Sequence, residues 1–307
     1  MTSSTAHDDA VVLHDAAVRR GGRLIWSHGN FAIPRGTVTA VVGTNGAGKT
    51  TLLDAELGLI PTSQGGITVL GRPAGQSNQR IGYVPQTYTS GLDSTITARQ
   101  SVILGLTGTK FGIHLVSAKE KQRAQEVLEF VGLADKADYR LNELSGGLRQ
   151  RAAIAQALAC GPELLLLDEP LANLDIASQR SVVELLARLN REWGMTIEVV
   201  AHDLNMLLPI LTGAIYLLDG HPHYSPIRSV LDSDLLTHLY GTRVEVVTTP
   251  QGDMFVTPNR KLEPEERLQD THDVREAAHF HEHGGAQGNE THADAYTAGT
   301  KAKEMDR

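Results

Sequence analysis

The densest chemistry in the chain lies in eight consecutive residues, Gly43-Thr44-Asn45-Gly46-Ala47-Gly48-Lys49-Thr50, which fit the spacing G-x-x-x-x-G-K-[ST]. Glycines at 43, 46 and 48 let the backbone curl so that its N–H groups face phosphate oxygens. Lys49 supplies a compact positive charge to those phosphates. The Thr50 hydroxyl suits a phosphate-bound Mg²⁺. A helix expected to run on from Thr51 turns its N-terminus toward the same anion. Gly43 to Thr51 are therefore the candidate ATP contacts. The motif by itself defines nucleoside triphosphate binding, and a kinase would share it.

A second acidic pair narrows the chemistry. Four leucines, Leu164–Leu167, lead into Asp168-Glu169-Pro170. Asp168 at a strand tip suits Mg²⁺, directly or through water. Glu169 beside it suits polarising a water for attack on a γ-phosphate. A solvated acidic turn is the plainer alternative, and Lys49 upstream argues against it.

These residues need elements to hold them. Short apolar runs between Val11 and Thr39, punctuated by Gly and Pro, read as strands. Val38–Val42 reads as a buried strand feeding the glycine loop, and Thr51–Leu59 as the helix after it. Ile67–Leu70, Ile81–Val84, Leu164–Leu167, Thr196–Ala201 and Ala214–Leu218 read as further strands. Thr95 to Ala159 reads mostly as helix, with Ser117 and Glu120 at capping-box spacing. Val182, Leu185, Leu186 and Leu189 recur at helical spacing within Ile176–Arg191. Strand–helix alternation predicts an α/β fold with a mostly parallel sheet and a helical insertion between Gln86 and Leu164. Leu235–Tyr240 reads as a short helix. Val244–Thr248 and Met254–Thr257 flank Pro250-Gln251-Gly252-Asp253 as a hairpin.

Composition sets outer limits. The 307 residues are 41% hydrophobic and 21% charged, which supports a packed core. The net charge of −8 and the absence of a basic stripe argue against a nucleic-acid partner. Cys160 is the only cysteine, so no internal disulfide forms, as expected in a reducing compartment. No apolar run of roughly 18 residues predicts a transmembrane helix, and polar Met1–Asp9 is unlike a secretory signal.

Leu144-Ser145-Gly146-Gly147 followed by Gln150-Arg151 resembles the signature motif of ABC-type ATPases. Other pieces resemble that family in the same order. Gln86 in Tyr83-Val84-Pro85-Gln86 is similar to its Q-loop glutamine, Ala172-Asn173-Leu174-Asp175 to its D-loop, and His202 in Ala201-His202-Asp203 to its switch histidine. The resemblance covers roughly residues 10–225. It implies a P-loop NTPase (RecA-like) parallel-sheet core, an antiparallel N-terminal β subdomain and the inserted helical subdomain. It implies an ATPase domain over 10–262, with the helical subdomain at about 90–160 and a C-terminal helix and hairpin at about 230–258.

The family architecture also implies partners and roles. Two copies would meet head to tail as a homodimer, with ATP between the phosphate loop of one and Ser145, Gly146 and Gly147 of the other. Glu169, His202 and Lys49 would be catalytic, with His202 touching the γ-phosphate. Thr50, Gln86 and Asp168 would serve Mg²⁺. The helical subdomain would grip a separate membrane permease subunit, placing the chain in the cytoplasm on the inner face of the membrane.

Three positions depart from the family pattern: Thr44 where proline is usual, Leu148 where the signature usually has glutamine, and Arg20 where many relatives carry an aromatic. A guanidinium plane also stacks on a base, so Arg20 is the candidate adenine contact. Leu171–Asp175, His202-Asp203-Leu204-Asn205 and Leu239-Tyr240-Gly241 resemble the manganese/zinc/iron branch of ABC importers, which implies an external metal-binding lipoprotein. Haem, siderophore and drug transporters are the rival cargo classes. ATPases acting on ribosomes or DNA usually carry two such units or a long coiled coil, and neither is present. Residues 263–307 read as a disordered, His-rich tail. His279, His281 and His283 alternate there, with His272, His292, Asp273, Glu276 and Glu282 nearby. Neutral imidazoles suit Zn²⁺ and similar ions, although composition is the only basis for that reading.

Overall fold

A computed structural model describes residues 9–86, 95–108 and 115–258. The chain starts with a hairpin of β1 (Asp9–Arg20) and β2 (Arg23–Pro34), turning at Gly21-Gly22, where both φ values are positive. β3 (Val38–Val42), the glycine loop and α1 (Lys49–Glu56) follow. Then come β4 (Thr62–Val69), β5 (Arg72–Pro73) and β6 (Ile81–Val84). Three helices are inserted next: α2 (Ala98–Thr107), α3 (Ala118–Phe130) and α4 (Gly146–Leu158). The core resumes with β7 (Leu164–Asp168), α5 (Ile176–Trp193), β8 (Thr196–Val200), β9 (Gly213–Leu218) and β10 (His221–Pro226). Short α6 (Ile227–Val230), α7 (Ser233–Tyr240) and the hairpin β11 (Val244–Thr248) and β12 (Met254–Pro258) complete the described chain.

The central sheet has the order β10-β9-β3-β8-β7-β6. All its neighbours pair parallel except edge strand β10, which is antiparallel to β9. A second, antiparallel sheet has the order β2-β1-β4-β5. The expected α/β core, N-terminal β layer and helical insertion are all present.

The sheet is covered on both faces, which is why its inner strands are apolar without alternation. Successive side chains still sort by face. Ala40, Val42, Leu165 and Leu167 join a cluster with the helices, whereas Val41, Leu164 and Leu166 join one with β1, β4 and α1. The four leucines of β7 are fully buried, each worth about 2 kcal/mol of transfer free energy.

Local signals resolve as follows. Ser117 and Glu120 form the expected capping box at the start of α3. The helix expected over Thr51–Leu59 instead spans Lys49–Glu56. Gly48, at φ +101°, hands the loop directly to Lys49, and Leu57–Leu59 leave the helix before Ile60. Cys160 lies exposed just beyond α4. Among the described residues no helix is long and apolar enough to cross a membrane. The described residues form one compact unit. His279, His281 and His283 lie outside the described residues.

Candidate active site

The glycine loop joins the C-terminal end of β3 to α1. A Cβ on Gly48 would stand 2.6 Å from Ile25 Cγ2 and 3.1 Å from the Trp26 ring, so side-chain bulk is excluded there as well as strained. Lys49 is almost wholly buried, and its Nζ donates to the carbonyls of Gly43 (2.9 Å) and Thr44 (3.1 Å). Burial lowers its pKa, opposed by the charges of Glu169 and Asp168. The ammonium is thus held at the mouth of the loop by the loop's own backbone.

β7 delivers the acids. Thr50 Oγ1 donates to Asp168 Oδ2 at 2.9 Å, joining α1 to the tip of β7 across 118 residues. Burial raises the Asp168 carboxyl, while the Thr50 hydrogen bond pulls it down. Among the described residues its second oxygen, Oδ1, is buried without a partner. A hydroxyl and an orphaned carboxylate oxygen side by side fit a hard divalent cation such as Mg²⁺, which takes oxygen ligands.

Glu169 leaves the strand at φ +52°, in the left-handed region that costs a non-glycine residue about 1–2 kcal/mol. That turn frees its carboxylate from β7. Gln86 Nε2 donates to Glu169 Oε2 at 2.7 Å, and His202 Nε2 lies 2.6 Å from Oε1. His202 follows β8, the strand next to β7, so adjacent parallel strands bring acid and histidine together at one edge. A cavity of about 190 Å³ beside them is lined by Glu169, Ala172, Asn173 and His202 among others. Gln86, expected to serve Mg²⁺, hydrogen-bonds the Glu169 carboxylate here.

Ser145 caps α4, its side chain accepting from the Leu148 N–H at 3.4 Å. Leu148 packs partly against the helical cluster, so the departure from glutamine fills apolar space. Gly147 is required by proximity, since a Cβ there would stand 2.6 Å from Ser178 Oγ on α5. Among the described residues, no hydrogen bond or ion pair joins Ser145, Gly146 or Gly147 to the loop from Gly43 to Thr51. Lys49, Thr50, Gln86, Asp168, Glu169 and His202 therefore assemble within one chain, and Gly146 of the Ser-Gly-Gly turn lines a cavity of about 150 Å³ with Gln86 and Asn173. Arg20 ends β1 with its guanidinium exposed, 3.9 Å from Asp54 on α1.

The sequence pattern gives several further residues no role of their own. Tyr83 on β6 is pushed up to about 12, first by burial and then by the charges of Asp168 and Asp54. Asn205 stood in the His202–Asn205 motif without a role of its own, and the pair Glu56 and Glu198 stood in no motif. Polar residues inside apolar runs were the available signal for the pair.

The family model described as ABC transporter matches residues 27–172. A protein of Chlamydia muridarum (strain MoPn / Nigg) named "Probable metal transport system ATP-binding protein" is 36% identical over 247 residues, covering 80% of this chain and 92% of that one. The phosphonates import ATP-binding protein PhnC of Stutzerimonas stutzeri is 36% identical over 232 residues, covering 70% and 83%. Among solved structures, one titled "An inward-facing conformation of a putative metal-chelate type ABC transporter" superposes with TM-score 0.74 at 28% identity, covering 83% of this chain and 99% of that chain. The chain belongs to the ABC transporter family and carries its ATPase domain.

Proposed function

We propose that two copies of this chain close head to tail on MgATP and hydrolyse it to drive import of a metal ion, zinc or manganese in class, through a separate permease. The observation that carries the reading is Glu169, held by Gln86 and His202 beside Lys49, Thr50 and Asp168. In the closed dimer Ser145 and the N–H groups of Gly146 and Gly147, at the start of a 13-residue helix, face the γ-phosphate bound by the partner. That none of them bonds to the loop among the described residues of one chain suits a site completed by a second copy.

Lys49 and the loop N–H groups bind the phosphates. Thr50 and Asp168 would hold Mg²⁺, which would offset charge on the phosphate oxygens. Glu169 takes a proton from the attacking water, and His202 orients that water and the γ-phosphate. Arg20 lies against adenine once its long contact with Asp54 is released.

Gln86 connects this chemistry to the helical insertion. A groove of about 700 Å³, lined by Tyr83, Pro85, Gly105, Gln156 and Cys160 among others, opens beside β6, α2 and α4. We assign it to the permease, which places the chain at the cytoplasmic face of the membrane. An external metal-binding lipoprotein would deliver cargo to the far side. The metal reading rests on the C. muridarum relative and on Leu171–Asp175 and His202–Asn205. The similarly close phosphonate relative keeps a second cargo class open.

Whole-cell metal content, by mass spectrometry, separates them. Lys49→Ala in the native strain should selectively lower zinc, manganese or iron under scarcity. Unchanged metals would transfer the cargo to the phosphonate, haem, siderophore or drug class.

A further inference from the structure

The loop that carries His202 is anchored on two sides. Leu204 is buried in the helical cluster, and the Asp203 carboxylate accepts the Asn205 N–H at 2.8 Å. Asn205 then reaches 51 residues along the chain to β12. Its Nδ2 donates to the Val256 carbonyl at 2.9 Å, and its Oδ1 accepts the Val256 N–H at 2.8 Å. A primary amide offers the same donor and acceptor as a peptide group, so Asn205 occupies the place a neighbouring strand would take. It satisfies both outward-facing groups of Val256 on the free edge of the hairpin.

The hairpin is fixed on its other strand in the same way. Val244 N–H donates to Thr237 Oγ1 on α7 at 3.1 Å, and that hydroxyl lies 3.4 Å from the Val244 carbonyl. Val246 N–H donates to Ser233 Oγ at 3.1 Å. α7 in turn is seated in the core by Leu236 and Leu239. A continuous path of hydrogen bonds and packing therefore runs from the core through α7, β11, β12 and Asn205 to the histidine loop. Between the loop and the hairpin lies a pocket of about 280 Å³, walled by His202, Asp203 and Asn205 on one side and Val244, Val256 and Pro258 on the other.

We propose that Asn205 is a positioning residue for ATP hydrolysis, fastening the C-terminal hairpin to the switch loop so that His202 is held at Glu169. This rests on the ATPase reading above. The hairpin then acts on turnover without touching nucleotide. Whatever displaces β12 loosens His202, and binding of ATP to the glycine loop is untouched.

Steady-state ATPase kinetics and thermal melts on the full-length protein test this. Asn205→Ala should lower kcat roughly tenfold, the scale of two neutral hydrogen bonds, with KM for MgATP within about twofold. Thr237→Val, remote from nucleotide and nearly isosteric, should lower kcat in the same direction with KM unchanged. A purely structural clamp would lower the melting temperature and leave kcat alone, which overturns the proposal. So does a KM that rises in step with the fall in kcat. If Asn205→Ala fails to fold, Thr237→Val decides, and an unchanged kcat there overturns it. A wild-type chain without any turnover would overturn the ATPase reading, and this inference with it.

Discussion

His202 Nε2 lies 2.6 Å from Glu169 Oε1, although the two residues are 33 positions apart and sit after different strands. With the proton on Nε2, the imidazole donates to the carboxylate and fixes its direction. Gln86 fixes the other oxygen at 2.7 Å. Glu169 is thereby aimed while keeping a lone pair for a water proton.

Glu169→Gln keeps the shape and removes the base. Hydrolysis should fall by at least about 100-fold, the usual contribution of a positioned general base. ATP binding should persist, so the variant should accumulate as an ATP-bound dimer in size-exclusion chromatography with light scattering. A variant that remains monomeric at saturating MgATP would contradict the head-to-tail arrangement.

Arg20 makes only a long, exposed contact with Asp54, of a kind worth a few tenths of a kcal/mol. Little opposes its moving onto adenine. Arg20→Ala should weaken ATP affinity about five- to tenfold by fluorescence titration, near 1 kcal/mol of stacking. Unchanged affinity would remove Arg20 from the site.

Glu56, the last residue of α1, and Glu198, in the middle of β8, are both fully buried between the sheet and the N-terminal β layer. Among the described residues no other group donates to their four carboxyl oxygens, so the pair is satisfied only by sharing protons between the two carboxyls. Burial pushes Glu198 up to about 8; burial, then the neighbouring Glu198, raises Glu56 well above the ordinary carboxylate range. The folded chain keeps protons that the unfolded chain releases near pH 4.5, so folding takes up protons across that window. Stability should therefore fall as pH rises from about 4.5 to 8, by a few kcal/mol. Glu198→Gln, neutral at every pH, should flatten the decline in urea unfolding series at pH 5 and 8. A slope equal to that of the wild type would show that the pair does not titrate in this range.

The tail offers a separate test. A peptide spanning residues 270–295 should release heat on titration with Zn²⁺ if His279, His281 and His283 chelate it. A flat calorimetric trace would leave the tail without a metal role.

Much of the fold was legible because its signals are local. The period-3.6 stripe Val182, Leu185, Leu186 and Leu189 marks the buried face of α5, and all four are buried. The apolar run of β7 announces a strand covered on both faces. The Ser117 capping box closes within four residues. The start of α1 was placed two residues late because Gly48, with positive φ, does not interrupt the chain's passage from loop to helix. That geometry depends on Ile25 and Trp26 pressing on Gly48, and neither is near it in sequence.

The sequence by itself determined which residue types stand ready for phosphate chemistry and the order in which they come. The glycines, Lys49, Thr50, Asp168 and Glu169 declare themselves by spacing, because backbone curvature and strand ends are local properties. Only the tertiary structure decided how these groups are shared. Glu169 lies between Gln86 and His202, Thr50 is bonded to Asp168, two carboxyls face each other inside the core, and Asn205 stands in for a strand beside β12. Each such contact joins segments 33 to 142 residues apart (the largest being 198 − 56). The order of strands in the sheet and the packing of its faces select these pairs, and no short-range pattern records that order.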